Sequence, residues 1–247
     1  MKTLLCATGA ALIALAASIG PAHASVVIAG TRVVFPAAAG ETTVRLTNEG
    51  TQPALVEAWI DAGNPDSTPD TAKVPFLVTP PLARMNPGKG QSLRIVYTGQ
   101  PLPNDRESLY WLNVLEIPPK PSAKPGEAQN TLQFAVRSRL KLFFRPAKLA
   151  GDPLTAAKQL DWKAVTDSTS HALEVHNPTP YYITISQLTL HVGTASYTAD
   201  GGMVAPMASL RVAVKGLHDA PAAGSAIDYA VINDFGGSTA FKGAVSP

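Results

Sequence analysis

The chain has 247 residues and a formal net charge of +2, from 20 Lys and Arg against 18 Asp and Glu. A balance this close to neutral provides no overall field that would attract nucleic acid. The single cysteine, Cys6, lies in the apolar N-terminal stretch, so the rest of the sequence offers no disulfide, thiol nucleophile or cysteine metal ligand. The length is typical of one large domain or two of about 100 residues.

The chain opens with MKTLLCATGAALIALAASIGPAHA, which has the pattern of a secretory signal. Lys2 precedes an apolar run at 4–19, and AHA at 22–24 forms an A-x-A cleavage site. The run is shorter than the roughly 20 apolar residues that a membrane-spanning helix needs, and no other segment comes nearer to that length. We therefore predict a signal peptide at 1–24, cleavage before Ser25, and no membrane span.

Short runs of alternating apolar and polar residues follow, separated by turns rich in the chain's 22 prolines and 19 glycines. Period-two alternation without long helical periodicity predicts an all-β fold. The number and span of the first set of strands are typical of an immunoglobulin-like sandwich. Its candidate strands are 25–35, 42–48, 54–62, 92–98, 108–117 and 131–144.

A second set of candidate strands follows the segment RPAKLAGDP at 145–153 and predicts a second sandwich. Because this connection is short, we expect a fixed elbow between the two domains. We place the first domain at 25–147 and the second at 148–247. The candidates of the second set are 160–165, 172–177, 181–192, a hairpin around ADGG at 199–202, 209–214 and 226–234.

The last strand of the first set follows a Pro-rich loop at 118–130 and reads TLQFAVRSRLKLFF. In a strand, Leu132, Phe134 and Val136 project to one face. One interpretation is an ordinary strand whose apolar row is buried in its own core. The other is an edge strand that pairs with a second polypeptide, since an apolar edge without a partner is prone to aggregation. These residues alone leave both interpretations open.

Five segments resemble the periplasmic chaperones of the chaperone–usher pilus pathway, the PapD-like family. They cover nearly all of the chain after the signal, in order and at suitable spacing. The resemblance implies two immunoglobulin-like β-sandwich domains in an L or boomerang arrangement with a cleft between them, and a location in the periplasm. The segments are GTRVVFP (30–36), NDRESLYWLNVLEIPP (104–119), RLKLFFRP (139–146), HNPTPYY (176–182) and INDFGG (232–237).

The resemblance also implies a subunit-binding site. Arg32 and Lys141 match the pair of cations that anchors the C-terminal carboxylate of a pilus subunit. Leu132, Phe134 and Val136 match the alternating row that is inserted into the groove of a subunit in place of a strand that the subunit lacks. The implied partners are pilus subunits and an outer-membrane usher, and self-association through the exposed strand is left open.

Three further residues, Glu107, Arg145 and Asp234, match a charge network that ties the two domains of the family together. From the residues alone, Arg145 and Asp234 could equally be an ordinary surface ion pair, worth about 0–1 kcal/mol. Their positions at the domain junction and in the last predicted strand favour partial burial, and removal of one partner of a buried pair costs about 3–5 kcal/mol.

The spacing of the site residues leaves one question about strand geometry. Val136 and Lys141 are an odd number of positions apart, so a flat strand directs them to opposite faces. A bulge or strong twist between Arg137 and Leu140 would bring them to the same face. Without such a bulge, one of the two face assignments is wrong.

Catalytic motifs are missing from the sequence. It has no G-x-S-x-G elbow and no complete phosphate-binding loop. His171, His176, His191 and His218 lack the spacing of a zinc site. We therefore predict no metal, no cofactor and no enzymatic activity. The favoured function is a chaperone that caps pilus subunits and delivers them to an usher; the alternatives are a structural pilus subunit or adhesin, and a periplasmic hydrolase or ligand-binding β-sandwich.

Overall fold

The computed structural model describes residues 25–120, 132–166, 171–217 and 219–247. The predicted signal peptide, residues 121–130 of the predicted loop, Thr131 and His218 lie outside these ranges. Apart from two short 3-10 helices, Ala37–Ala39 and Ala156–Gln159, the regular structure within the ranges is β-strand, which confirms the predicted all-β class. No helix in this part of the chain has the length and apolar character needed to cross a membrane.

The N-terminal half forms two sheets that pack face to face. Its strands are β1 (Val26–Ile28), β2 (Arg32–Pro36), β3 (Glu41–Asn48), β4 (Ala54–Asp61), β5 (Phe76–Thr79), β6 (Leu82–Met85), β7 (Gly90–Tyr97), β8 (Ser108–Ile117) and β9 (Val136–Arg145). One sheet has four strands in the order β1-β3-β7-β5, and the other has five in the order β2-β9-β8-β4-β6. Phe35, Leu46 and Leu112 are among the fully buried side chains between them.

The predicted single strand at 25–35 is wrong, because the chain changes sheets within it. β1 pairs with β3 in the four-stranded sheet, whereas β2 pairs with β9 in the five-stranded sheet. The break contains Gly30, whose φ of +97° is a conformation that side chains with a Cβ rarely adopt. The glycine thus ends β1 and lets the chain cross to the other sheet, where β2 begins at Arg32.

Two strands of the N-terminal half, β5 and β6, were not predicted from the sequence. Each has only four residues, and they are separated by Pro80 and Pro81. Prolines indicate turns, and a proline within or beside a short apolar run argues against a strand there. In the structure β5 and β6 are edge strands of different sheets, where a proline at the strand end removes no ladder hydrogen bond.

The C-terminal half forms a second pair of sheets. Its strands are β10 (Asp161–Thr166), β11 (His171–Asn177), β12 (Ile183–Val192), β13 (Ala195–Ala199), β14 (Gly202–Val204), β15 (Ala208–Ala213), β16 (Ala226–Ile232) and β17 (Ser238–Ala244). One sheet has the order β10-β11-β15, and the other has the order β13-β12-β16-β17, with β14 also paired to β12. Trp162, Leu190 and Ile227 are buried between them.

Two details of the C-terminal half differ from the prediction. The hairpin predicted around ADGG is wrong, because β13 and β14 both pair with β12 and not with each other. The final strand, β17, was missed because STAFKGA has few large apolar residues. As a result, Asp234 does not lie in the last strand; it lies in the turn between β16 and β17.

Strand β9 connects the core to the candidate site. Its inward residues Leu140, Leu142 and Phe144 are 7%, 0% and 5% exposed and belong to the N-terminal core. The strand was predicted to start at 131 but begins at Val136. The described residues before it are not in a strand, and Leu132 is 77% exposed although it follows the same alternation.

This difference in burial along one alternating row leads to a prediction. Leu142→Ala should lower the free energy of unfolding by about 2–5 kcal/mol, because the truncation leaves a cavity in the core. Leu132→Ala should change it by less than about 0.5 kcal/mol, as expected for an exposed side chain. Urea unfolding of the two purified variants measures both values. A comparable loss in both would contradict the placement of Leu132 outside the core.

Candidate functional site

Strand β9 is an interior strand over one half and an edge strand over the other. It pairs with β8 from Val136 to Phe144, but the parallel pairing with β2 on its other side covers only Lys141 to Arg145. In the described part of the chain, no strand pairs with that other side over residues 136–140. We call this segment the open edge. Its backbone groups directed away from β8 have the geometry that an added strand would require.

An exposed apolar row leads into the open edge. The exposed fractions are 77% for Leu132, 69% for Phe134 and 52% for Val136. Side chains of this size are normally buried in a soluble protein, and a contiguous exposed set marks an interaction surface. The structure therefore places all three outside the protein's own core.

Strand β9 has no bulge between Arg137 and Leu140, so Val136 and Lys141 do not share a face. The register of β9 against β8 advances one residue at a time from Val136 to Phe144 without a shift. Period two is therefore preserved, and Val136 and Lys141 lie on opposite faces of the strand. Val136 follows the row that faces the core, whereas Lys141 follows the outer row.

The two predicted cations lie side by side. Arg32 at the start of β2 is the direct partner of Lys141 in β9, so their side chains leave the same face of a parallel pair. Nη1 of Arg32 donates to the carbonyl of Ile232 at 2.8 Å, and Nζ of Lys141 donates to the hydroxyl of Thr184 at 3.2 Å. Both contacts are to the C-terminal sandwich, so this cation pair sits where the two sandwiches meet.

The cation pair has unused capacity for an anion. Among the described residues, no carboxylate forms a salt bridge with Arg32 or Lys141. Nε of Arg32 is buried and has no hydrogen-bond partner in the same part of the chain. Burial lowers the pKa of Lys141, and the neighbouring Arg32 charge lowers it further. Burial also lowers the pKa of Arg32. An anion placed between the two groups would relieve this unfavourable charge.

The network predicted at the junction consists of one arginine between two carboxylates. Nε of Arg145, the last residue of β9, donates to Glu107 at 2.6 Å, and its two terminal nitrogens donate to Asp234 at 2.6 and 2.9 Å. The other oxygen of Glu107 accepts the backbone N–H of Tyr182 at 2.7 Å. These contacts join the N-terminal sandwich to two separate segments of the C-terminal one.

Burial sets the electrostatics of this network. Glu107 is 3% exposed, and burial raises its pKa although Arg145 and the N–H of Tyr182 act in the opposite direction. Burial alone would lower the pKa of Arg145, but the hydrogen bonds to Asp234 and the charge of Glu107 outweigh it, so the pKa rises. Arg145 therefore remains charged and holds the junction through charge-assisted hydrogen bonds.

The sequence analysis missed a second set of polar contacts on the outer face of β9. Arg137 and Arg139 precede Lys141 on this face and contact two tryptophans of β4 and β8. A signal was present in the sequence: three cations lie at alternating positions in one strand, Trp111 lies at an outward position of the neighbouring strand β8, and Trp59 lies at an outward position of the next strand, β4.

The described histidines do not form a site together. His171 contacts Thr166, His176 contacts Ser209, and His191 contacts Ser196 and Asp228. Within the described ranges, no three His, Cys, Asp or Glu side chains converge in a manner suited to a metal ion.

Comparison with known proteins identifies the family. The model "Pili and flagellar-assembly chaperone, PapD N-terminal domain" matches residues 25–150, and "Pili assembly chaperone PapD, C-terminal domain" matches 155–242. The chain belongs to the PapD-like family of pilus-assembly chaperones. This membership confirms the predicted chaperone class over the alternatives of a pilus subunit, an adhesin or a hydrolase, since the family consists of chaperones and not of enzymes.

Individual PapD-like relatives support the assignment over the whole chain. The chaperone protein FimB/FhaD of Bordetella pertussis is 48% identical over 245 residues, which cover 97% of this chain and 95% of the relative. The crystal structure of the Pseudomonas aeruginosa CupB2 chaperone has a TM-score of 0.74 at 39% identity, covering 89% of this chain and all of CupB2. The SafB chaperone of Salmonella enterica, in complex with SafA pilin, has a TM-score of 0.72 at 32% identity, covering 92% and 99%. The predicted fold of two immunoglobulin-like sandwiches is thereby confirmed.

The electrostatics of the cation pair yield a prediction for stability. The pKa of Lys141 is lower in the folded chain than in the unfolded chain, so burial of its charge opposes folding at pH values below the ordinary pKa. This penalty should disappear as pH rises from the lowered pKa through the ordinary value of 10.5. We therefore expect the thermal midpoint of Lys141→Met at pH 7 to equal or exceed that of the unaltered protein. As pH rises to alkaline values the unaltered protein should lose its penalty and approach the variant in stability, because the variant has no lysine charge at this position to lose.

The matched control is Lys163→Met, which alters a lysine whose side chain is 58% exposed. Thermal melts of both variants and the unaltered protein from pH 7 to about 11 make the comparison. A lower midpoint for Lys141→Met than for Lys163→Met at pH 7 would contradict the electrostatic account.

Proposed function

We propose that the protein is a periplasmic chaperone that binds pilus subunits through the open edge of β9 and then delivers them to an outer-membrane usher. We assign residues 1–24 to a cleaved signal peptide, 25–147 to a domain that carries the donated strand, and 148–247 to a second domain. The observation that carries this proposal is the open edge itself, which lies between an exposed apolar row and a pair of cations that form no salt bridge with a described carboxylate.

The open edge and the apolar row act together in binding. A subunit that lacks one strand of its sandwich exposes both an unpaired edge and a groove in its core. Backbone hydrogen bonds to residues 136–140 would satisfy the edge, while Leu132, Phe134 and Val136 enter the groove. Burial of three such side chains contributes about 5–9 kcal/mol as an upper limit, before the cost of ordering the partners.

The cation pair would bind the C-terminal carboxylate of the subunit. Arg32 and Lys141 can each donate a charge-assisted hydrogen bond, and such bonds contribute about 1.5–3 kcal/mol each. Nε of Arg32, which is buried and has no hydrogen-bond partner among the described residues, supports this role. A C-terminal carboxylate occurs once in each subunit, so binding it fixes the position of the subunit's C-terminus.

The anchor would also determine the register of the added strand. A slip of one residue turns every side chain of a strand to its other face. With the carboxylate fixed at Lys141, the distance along β9 decides which pocket of the subunit receives Phe134. Anchor and apolar row therefore provide specificity jointly, although they lie on opposite faces of the strand.

The relatives support this assignment. SafB, which has the same fold, forms a complex with SafA pilin.

A chaperone with an open apolar edge needs that edge covered until it meets a subunit, and we propose that the free protein self-associates through the same edge. In the complex with a subunit and in the self-associated form alike, the binding energy comes from strand pairing and apolar burial, without a nucleotide or other cofactor.

Co-expression of this protein with candidate subunits in the periplasm tests the proposal. Lys141→Ala and Arg32→Ala should each reduce subunit recovery by about ten- to a hundredfold, corresponding to about 1.5–3 kcal/mol for one lost charge-assisted bond. Phe134→Asp should abolish subunit recovery, because it places a charge in the apolar groove of the subunit. All three variants should remain folded at the temperature of the assay, as thermal melts would show, since these side chains lie outside the apolar core.

Two exposed positions away from the site serve as controls. Leu77→Asp introduces a charge at a leucine that is 61% exposed on the edge strand β5, and Lys163→Ala removes a cation from β10. Both should recover subunits at the level of the unaltered protein. Full recovery by Lys141→Ala or Phe134→Asp would exclude the proposed binding mode.

A further inference from the structure

The open edge of β9 is supported from its outer face by stacked arginine and tryptophan side chains. The guanidinium of Arg137 lies 4.7 Å from the ring centroid of Trp59, and that of Arg139 lies 4.5 Å from the centroid of Trp111. Nζ of Lys141 lies 6.0 Å from the same Trp111 ring. The three cations are at alternating positions of β9, so the stack runs along the outer face from the open edge to the cation pair.

Hydrogen bonds fix the two arginines further. Arg139 donates to the carboxylate of Asp61 at 2.6 and 3.2 Å. Arg137 donates through two nitrogens to Oδ1 of Asn113, at 3.0 and 2.7 Å. Nδ2 of Asn113 in turn donates to Asp61 at 2.8 Å, which joins both arginines in one network.

The acceptors of this network are rigidly placed. Asp61 is 1% exposed and Asn113 is 0% exposed, and they belong to β4 and β8, in the interior of the five-stranded sheet. Arg137 reaches beyond the sheet as well, since its Nη1 donates to the carbonyl of Pro65 at 2.7 Å. Apart from the carbonyl of the exposed Pro65, the support therefore comes from buried groups.

All of these contacts of Arg137 and Arg139 lie on the side of β9 that pairs with β8. Over residues 136–140 the other side has no strand among the described residues, so β9 lacks half of the ladder that normally keeps a strand straight. Two arginines within this segment, Arg137 and Arg139, are held by the hydrogen bonds to Asn113 and Asp61. A segment that is already extended loses less conformational freedom when a partner strand is added, which increases affinity without any new contact.

We propose that Arg137 and Arg139 are positioning residues that hold the open edge in the extended conformation required for strand donation. This inference rests on the proposed function. It assigns a role to side chains that face away from the apolar row and act through the backbone of β9 without contacting its partner.

The first variant that tests this inference is Arg137→Gln. Its main acceptor, Asn113, is neutral, so the substitution leaves no unpaired buried charge, whereas removal of Arg139 would leave Asp61 without its cation. The assay uses the subunit that co-purifies with the unaltered protein, unfolds it in urea and measures its rate of capture by purified chaperone. We expect capture to slow by about tenfold for Arg137→Gln, equivalent to about 1.4 kcal/mol. We expect a smaller effect for Arg139→Lys, which keeps the charge beside Asp61 but not the planar stack.

A core variant separates positioning from general stability. Val44→Ala removes a side chain that is 4% exposed in β3 of the opposite sheet and should lower the thermal midpoint without affecting the outer face of β9. At a temperature where both variants are folded, Val44→Ala should capture the subunit at the normal rate. Equal slowing in Val44→Ala and Arg137→Gln would overturn the inference, because stability alone would then explain it.

The result for Phe134→Asp distinguishes this inference from the proposed function. Normal capture by Arg137→Gln, together with loss of capture by Phe134→Asp, would overturn the positioning role and leave strand donation intact. Normal capture by both variants would overturn both, because there would then be no donated strand to position.

Discussion

The register of β2 against β9 is the constraint on which the site depends. β2 begins at Arg32, directly opposite Lys141, and runs beside only the second half of β9. This one register places two cations side by side and leaves residues 136–140 paired with β8 alone among the described strands. It follows from the sheet change after β1, where Gly30 adopts a backbone conformation that favours glycine. Anchor and open edge are therefore two results of the same pairing.

The two faces of β9 serve different purposes. The inward face begins as an exposed apolar row and continues as the N-terminal core at Leu140 and Leu142, so a subunit that receives the row would extend a core that already exists. The outer face carries the arginine stack, then Lys141 and finally Arg145, which binds both Glu107 and Asp234 at the junction. A regular strand without a bulge keeps the two functions apart.

The sequence predicted the fold class and most strands because alternation and turn residues are local signals. It failed where the decisive fact was a tertiary one: the sheet change at Gly30, the short strands beside Pro80, and the boundary of β9, which depends on which neighbours pair with it. Arg32 and Lys141 could be named only through the family resemblance, since isolated cations are usually solvated. The contacts of Arg137 and Arg139 depend on Trp59 and Asp61 of β4, which are distant in sequence and come close to β9 only in the folded sheet.

Amide hydrogen exchange along β9, in the free protein and in its complex with a subunit, tests the central claim most directly. The amides of residues 136–140 that point away from β8 should exchange rapidly in the free protein when it is dilute enough to be monomeric, and they should become strongly protected in the complex. Residues 141–144, which already lie between β2 and β8, should change little. Protection confined to the C-terminal sandwich, with residues 136–140 unaffected, would contradict strand donation through this edge.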